Sequence, residues 1–303
     1  MPNILVSGLI NIETTLRVDG FPIAYNPVNY PFFGVNSSVS GVGYNIAKAL
    51  TALGDRVEFL SLVGADPAGQ LVSMALSADG ISPGGVLDSL PATPQSVILY
   101  DPQGRRQIYT DLKDIQDRTY PQLQFERAAA GCDWLALCNI NFSRPMLDWA
   151  RRAGKPIATD VHTIGDLDDP YNRDFMQAAT VLFMSDEHLP ESPEAWARHV
   201  SDRFGTEIVV IGLGAQGALL AVRQDHIIER FPVIPTRSLV STIGAGDALF
   251  SAFLHSYARS SDPYLSLRRA MVFASYKIGV ASAAGGFLDE AGLDEWVEKS
   301  TAT

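Results

Sequence analysis

The sequence contains little cysteine and no long apolar run. Only Cys132 and Cys138 occur among 303 residues, at even spacing in an apolar segment. A disulfide framework or a cysteine-based metal site needs more, so we interpret both as core thiols on the same buried side of a strand. No stretch reaches the length of a membrane helix, and the N-terminus lacks the basic and apolar regions of a signal peptide. These absences predict a cytoplasmic protein without a membrane partner.

Positive charge is also scarce. The chain has 23 Lys and Arg residues against 34 Asp and Glu, and its formal net charge is −11. A protein that binds nucleic acid as a standing partner needs the opposite balance, so nucleic acid is excluded on this ground. Apolar residues make up 47% of the chain and charged residues 19%, a balance typical of a globular protein with a sizeable core.

Several common catalytic motifs are missing. The sequence has no P-loop, no H-E-x-x-H and no C-x-x-C, and its five histidines are scattered. The segment 212–217 does match G-x-G-x-x-G, but the residues after it alternate like two strands. A dinucleotide site requires a helix there. We therefore predict a glycine-rich turn between two strands.

Strand-like and helix-like segments alternate from residue 133 to residue 212. This alternation predicts a doubly wound α/β fold, with a mostly parallel sheet flanked by helices. Two β-rich segments, 11–36 and 92–110, interrupt the pattern, and the second resembles a hairpin around D-P-Q-G. We predict that they form a small β-sheet lid outside an α/β core. The segments assigned to that core are 1–10, 37–91 and 111–303.

The segment Gly244-Ala245-Gly246-Asp247, here called the glycine turn, precedes apolar residues at helical spacing. Glycines let the backbone approach a ligand closely, and free N–H groups at a helix start attract anions. A carboxylate at that point would compete with a permanently bound phosphate. It fits a transient phosphoryl group, because Asp247 could then accept a hydroxyl proton. On spacing alone, an aspartate that caps its own helix is the other interpretation.

Four motifs in this order resemble the ribokinase-like (PfkB-type) carbohydrate kinase family. The family signature D-T-x-G-A-G-D matches residues 241–247 except at Ser241, and G-G-x-G-x-N-x-A matches from Ser40 to Ala47 with one change. V-G-x-D-x-x-G matches residues 63–69, and L-G-x-x-G matches residues 213–217. Taken alone, the second motif would more often be a capped helix than a ligand site. Together the four motifs span nearly the whole chain.

The resemblance implies a kinase that transfers the γ-phosphoryl group of ATP to the hydroxyl of a small sugar or nucleoside-type acceptor. By resemblance, Asp247 is the general base, and Gly244, Ala245 and Gly246 form the anion hole. The remaining roles fall into two sets. The acceptor-binding set is Asn11, Glu13, Ser40, Gly41 and Asn45, and the nucleotide-binding set is Thr242, Gly214 and Gly217.

The chain departs from the family pattern where metal ions are expected. The family motif N-x-x-E, which supports Mg²⁺, corresponds to Ser185–His188, so we assign Asp186 and Glu187 as substitutes. Ser241 replaces an aspartate in a region where many relatives bind a monovalent cation such as K⁺. At the acceptor site, Glu13 stands where relatives commonly have Asp. These changes leave open a second function, a sugar- or nucleoside-binding regulatory protein with little kinase activity.

Two further features concern the lid segments. Edge strands such as 96–110 invite partners, so we expect a homodimer formed through the lid. Four aromatic residues lie in the first lid segment, and they suggest either a ring-bearing acceptor such as a nucleoside or ordinary lid packing. These residues are Tyr25, Tyr30, Phe32 and Phe33.

Overall fold

The computed structural model describes residues 1–103 and 105–301. Gly104, the last residue of the predicted D-P-Q-G turn, lies outside the described residues. The strands are β1 Asn3–Ser7, β2 Asn11–Arg17, β3 Val35–Ser40, β4 Arg56–Gly64, β5 Val86–Leu90, β6 Gln95–Tyr100, β7 Arg106–Asp111, β8 Trp134–Leu137, β9 Ile157–Asp160, β10 Val181–Ser185, β11 Ile208–Gly212, β12 Ala218–Val222 and β13 Ile227–Phe231. The helices are α1 Val42–Ala52, α2 Pro67–Ala78, α3 Gln122–Ala130, α4 Arg144–Arg152, α5 Arg173–Ala178, α6 Pro193–Phe204, α7 Ala245–Ser260, α8 Pro263–Lys277 and α9 Glu290–Thr301.

The main sheet has nine strands among the described residues, in the order β13-β12-β11-β10-β9-β8-β1-β4-β5. The pairs from β11 to β5 are parallel, while β12 and β13 are antiparallel to their neighbours. This arrangement confirms the predicted fold class. It also confirms that two strands follow the glycine-rich segment 212–217, where a dinucleotide site would need a helix.

Strand β1 illustrates why the central strands are continuously apolar. Its side chains alternate between two faces, so Ile4 and Val6 enter one core cluster and Leu5 enters the other. Helices α1, α2 and α7–α9 contribute to the first cluster and α3–α6 to the second. In the described part of the chain, no helix is long and apolar enough to cross a bilayer.

The two cysteines are free and buried. They lie in opposite core clusters, Cys132 with α3 and α4 and Cys138 with α1 and α7. Our prediction that both point to the same side was therefore wrong. The even spacing was misleading because β8 covers only residues 134–137, so both thiols lie beyond the ends of the strand, where alternation does not hold.

The second sheet, here called the lid sheet, has the order β3-β2-β6-β7. Strands β2 and β6 are parallel, and the two outer pairs are antiparallel. Strand β3 continues to Ser40 and β7 to Asp111, beyond the segments predicted from the sequence, and residues 18–34 form no strand. The division of the chain into core and lid domains stays a prediction.

Close backbone contact positions α1 against the end of β1. A Cβ atom on Gly43 would lie 2.5 Å from the carbonyl carbon of Gly8, which is too close for any side chain. Gly41, the residue before α1, has φ 112°, and a Cβ there would lie 2.6 Å from the Leu9 carbonyl oxygen. These two motif glycines therefore allow the start of α1 to pack closely against the residues that follow β1. As a result, the first turn of α1 lies at the carboxyl edge of the main sheet.

Candidate active site

A cavity of about 630 Å³ lies between the carboxyl ends of β9–β11, the lid sheet and the first turns of α1 and α7. Ligands of open α/β sheets bind at this edge. The cavity brings together nearly all of the predicted site residues. The predicted residues that line it are Asn11, Glu13, Ser40, Gly41, Asn45, Glu187, Gly214, Gly217, Thr242, Gly244, Ala245, Gly246 and Asp247.

Asp186 is the predicted site residue that does not line this cavity. Its peptide N–H donates to the Gly212 carbonyl oxygen at 3.0 Å, and the residue is exposed. The neighbouring Glu187 does line the cavity. The sequence could not show which of Asp186 and Glu187 lines the cavity, because both residues directly follow β10.

The glycine turn forms the start of α7. Gly244 has φ 74°, and a Cβ on it would lie 2.7 Å from the Ala283 carbonyl oxygen, so both conformation and packing require glycine. The Ala245 amide donates to the Thr242 carbonyl oxygen at 3.2 Å. The Gly246 and Asp247 amides belong to the first helical turn, whose N–H groups have no acceptor within the helix. They are the donors available to an anion.

A hydrogen-bonded chain of side chains joins the two predicted motifs. Asn45 Nδ2 donates to Asp247 Oδ2 at 2.7 Å, and the Ser40 hydroxyl donates to Asn45 Oδ1 at 3.4 Å. Residues 202 positions apart are thereby brought into contact. The carboxylate of Asp247 thus faces α1, and α7 begins without a side-chain cap at Gly244.

Burial raises the pKa of the Asp247 carboxyl above its usual range, against the lowering effect of the Asn45 hydrogen bond. His162 and Lys277 also lower this pKa, whereas Asp160 raises it. The pKa of Glu13 is raised as well, first by burial, although its hydrogen bond with Ser40 lowers it. The cavity therefore holds two carboxyl groups, those of Glu13 and Asp247, in an environment that increases their proton affinity.

Three residues of this site were missed in the sequence. Asp160 ends β9 and its Oδ1 accepts the His162 N–H at 2.7 Å, and both residues line the cavity. An acid at the carboxyl end of a buried strand was the signal that could have identified Asp160. Lys277 gave no such signal, because a lysine in the last turn of a helix usually lies on the surface. It is instead 0% exposed.

The side chains of the described residues do not supply a complete set of ligands for Mg²⁺. Among residues 1–103 and 105–301, no three His, Cys, Asp or Glu side chains are grouped so that they could hold a metal ion. Asp160 and Glu187 line the cavity with carboxylate oxygens, the donors that Mg²⁺ prefers. These residues fit an ion that keeps waters and phosphate oxygens as its other ligands.

The motif at residues 63–69 has a structural role. Asp66 caps α2 by accepting the Gly69 N–H at 2.8 Å, and it accepts the Thr93 hydroxyl at 2.6 Å and the Thr93 N–H at 2.9 Å. The Thr93 hydrogen bond lowers the pKa of Asp66, against a smaller raising effect of burial. This motif fixes the segment that leads into β6 of the lid sheet.

The sequence matches the family model described as pfkB family carbohydrate kinase over residues 1–143 and 159–290. Acarbose 7(IV)-phosphotransferase of Actinoplanes is 25% identical over 295 residues, which cover 96% of this chain and 97% of that protein. A microbiome-derived acarbose kinase has a solved structure with a TM-score of 0.88 and 24% identity, covering 98% of this chain and 99% of that one.

Arabidopsis thaliana ribokinase, solved with ribose and ATP, has a TM-score of 0.81 and 19% identity over 98% of this chain and 99% of that one. This likeness establishes the fold. The family model covers most of both halves of the chain and includes the motifs that meet in the cavity. The chain therefore belongs to the PfkB family of carbohydrate kinases, as a phosphotransferase with a ribokinase-like fold.

Proposed function

We propose that this kinase transfers the γ-phosphoryl group of ATP to a hydroxyl of a sugar-type acceptor, with Asp247 as general base. One observation carries the proposal. The Asn45–Asp247 hydrogen bond, 2.7 Å long, brings the acceptor motif to the proton acceptor of the glycine turn. A base must lie within hydrogen-bond reach of the hydroxyl that it deprotonates, and this contact supports that arrangement.

In the proposed reaction, the acceptor oxygen attacks the γ-phosphorus while the bond to the β–γ bridging oxygen breaks. The hydroxyl proton passes to Asp247, and ADP leaves. The Gly246 and Asp247 amides stabilise the negative charge on the transferred group. Asn45 holds one carboxylate oxygen of Asp247, so the other is available to the acceptor. The lid sheet excludes water, which would otherwise accept the phosphoryl group.

The acceptor side of the cavity favours a polyhydroxylated ligand. Asn11 is 2% exposed, and its Nδ2 donates to Ser96 Oγ at 2.6 Å. Its Oδ1 has no hydrogen-bond partner among the described residues. A buried acceptor without a donor is costly, so an incoming hydroxyl that donates to it would bind favourably. Glu13 and Ser40 line the same cavity as Asn11.

A sugar is favoured over a nucleoside. The four aromatic residues of the first lid segment are all exposed, from 74% for Tyr30 to 103% for Phe33, and none lines the cavity. They therefore support neither a ring-stacking role nor ordinary lid packing. Two relatives named above act on acarbose, according to their descriptions, which makes glycosides the first acceptors to try.

For the donor, PfkB kinases use ATP, and we assign its binding to Thr242, Gly214 and Gly217. Gly217 is also required by packing, since a Cβ on it would lie 2.0 Å from the Phe231 carbonyl oxygen. We assign Mg²⁺ to Asp160 and Glu187, with Glu187 kept from the sequence prediction and Asp160 in place of Asp186. When bound, the ion neutralises phosphate charge. A cytoplasmic location stays a prediction.

The test is an ADP-formation screen with Mg-ATP over glycosides including acarbose, free sugars, sugar phosphates and nucleosides. We expect at least one sugar-type compound to stimulate turnover. Asp247→Asn should then lower kcat by roughly 10²–10⁴-fold, with little change in ATP binding measured by calorimetry. The matched control is Asp148→Asn, on the exposed face of α4, which should retain full activity.

Three results would contradict parts of the proposal. Near-normal turnover of Asp247→Asn would remove the assignment of the base. A compound that raises the melting temperature of the protein, while no compound stimulates ADP formation, would favour the binding-protein alternative. Stimulation by nucleosides alone would overturn the preference for sugars.

A further inference from the structure

Lys277 is a fully buried lysine directly beneath the glycine turn. Its exposed fraction is 0%, whereas lysines are almost never fully buried unless they have a partner. Its Nζ donates to the Ile243 carbonyl oxygen, one residue before the turn. The ammonium group thus contacts the backbone that presents the anion-binding amides.

A second distance places this ammonium close to the turn itself. A Cβ atom on Gly244 would lie 3.2 Å from Lys277 Nζ and 2.7 Å from the Ala283 carbonyl oxygen. The carboxyl groups of Asp247 and Glu13 attract Lys277, and Arg106 repels it. The Ile243 carbonyl oxygen and the two carboxyl groups together form an environment suited to one positive charge.

The residues here do not fit a free monovalent cation. Ser241 stands where the resemblance leads us to expect a carboxylate, and its Oγ accepts the Ile243 N–H at 3.3 Å, within the same loop. The Ile243 carbonyl oxygen is already bonded to the ammonium. A K⁺ ion beside it would lack a carboxylate ligand and would be repelled by a buried like charge.

We propose that Lys277 is a tethered cation that replaces K⁺ beneath the glycine turn and positions the turn for phosphoryl transfer. Lys277 acts through the backbone of Ile243 and Gly244, so it is a positioning residue. The kinetic part of this inference rests on the proposed kinase function, whereas the part concerning ion binding does not.

The charge of the Lys277 amine at neutral pH is consistent with its role as a tethered cation. Burial lowers the pKa of Lys277 to about 8, although Asp247 and Glu13 act in the opposite direction. The amine is therefore mostly protonated at pH 7. A cation tethered to the chain is also consistent with a serine at position 241, where the resemblance leads us to expect a carboxylate.

The first test compares the unaltered protein in KCl, NaCl and tetramethylammonium chloride at equal ionic strength. We expect melting temperatures that agree within about 1 °C and, once an acceptor is known, turnover that agrees within about twofold, since only general screening then differs. K⁺-specific stabilisation, or stimulation of more than about fivefold over tetramethylammonium, would overturn the proposal. The melting temperatures test the part of the proposal that concerns ion binding, even if the kinase proposal fails.

The second test uses Lys277→Met, which keeps an unbranched side chain of similar size and removes the charge. We expect kcat of the folded protein to fall by about tenfold or more. The melting temperature should also fall, because the Ile243 carbonyl oxygen loses the ammonium donor. If Lys277 had only a structural role, the variant would have a lower melting temperature, and kcat of the folded protein would be unchanged. In the double variant Ser241→Asp/Lys277→Met, KCl should raise the melting temperature and tetramethylammonium chloride should not.

The matched control is Lys155→Met. Lys155 Nζ also donates to a backbone carbonyl, that of Cys132 at 2.6 Å, but Cys132 lies in the core cluster opposite to that of α7. This variant should keep its kcat and its equal response to the three salts. A Lys277→Met variant with kcat within about twofold of the unaltered protein would refute the positioning role. If that variant does not fold, the salt comparison on the unaltered protein still decides.

Discussion

At the scale of single residues, the site depends on the groups that surround one partly buried carboxyl group, that of Asp247. Asp247 lies among groups of both signs, and Asn45 is the side chain that donates a hydrogen bond to it. Because a bond to the ionised form favours that form, Asn45 counteracts the effect of burial. The two motifs therefore act as one unit, and a change in α1 should alter proton transfer at α7.

Asn45→Ala tests this coupling. The base is active when deprotonated, so activity falls as the pH drops through the pKa of Asp247. Loss of the Asn45 bond raises that pKa further, and the acidic limb of kcat should move to higher pH. The measurement is a pH–rate profile with saturating substrates. Asn139→Ala, whose Nδ2 donates to Asn172 at 2.9 Å outside the cavity, is the control, and an unshifted limb in Asn45→Ala would contradict the coupling.

At the scale of elements, the lid sheet is fixed to the core at the start of α2. Asp66 satisfies the Gly69 N–H of α2 and both polar groups of Thr93. Thr93 precedes β6 by two residues. A helix cap thereby also determines where the lid sheet begins.

Asp66→Ala should destabilise the protein by about 1–2 kcal/mol, measured by urea unfolding, and should speed amide exchange in β6. Asp262→Ala is the matched variant, because Asp262 caps α8 through Tyr264 and Leu265 without contacting the lid. Equal exchange rates in β6 for both variants would refute the anchoring role. Since the pKa of Asp66 is lowered in the folded state, its contribution is present above the ordinary Asp pKa and disappears as the pH falls through the lowered one.

The sequence predicted local structure better than long-range contacts. Strand–helix alternation predicted the main sheet, and glycine motifs located Asn45 and Asp247, because these signals lie within a few neighbouring residues. Lys277 could not be found, since its burial depends on a carbonyl 34 positions earlier in the chain. The register of the lid sheet likewise depends on pairing between β2 and β6 across distant segments.

At the scale of the whole molecule, the lid exposes a group of large apolar side chains. The segment between β2 and β3 exposes several large side chains, and patches of this kind are typical of protein–protein contacts. We propose that a second copy of this chain covers them, because the lid also presents the unpaired edges of β3 and β7. The exposed side chains are Ile23, Tyr25, Val28, Tyr30, Phe32 and Phe33.

Light scattering after size exclusion should give the mass of a dimer. Phe33→Asn should shift the equilibrium toward monomer by roughly tenfold or more in Kd, without loss of fold, because Asn tolerates the φ of 56° at this position. Leu123→Ser, which alters another exposed apolar residue at 69% exposure, is the control. A monomeric mass for the unaltered protein would refute dimerisation through the lid.

The position of β1 has a consequence for biosynthesis. This strand is translated before both of its neighbours, yet it lies inside the main sheet, between β4 and β8. One of its edges therefore stays without its partner until residues 134–137 have left the ribosome. Unpaired apolar strands are prone to aggregate, so the nascent chain passes through a vulnerable stage that ends only after β8 has been translated.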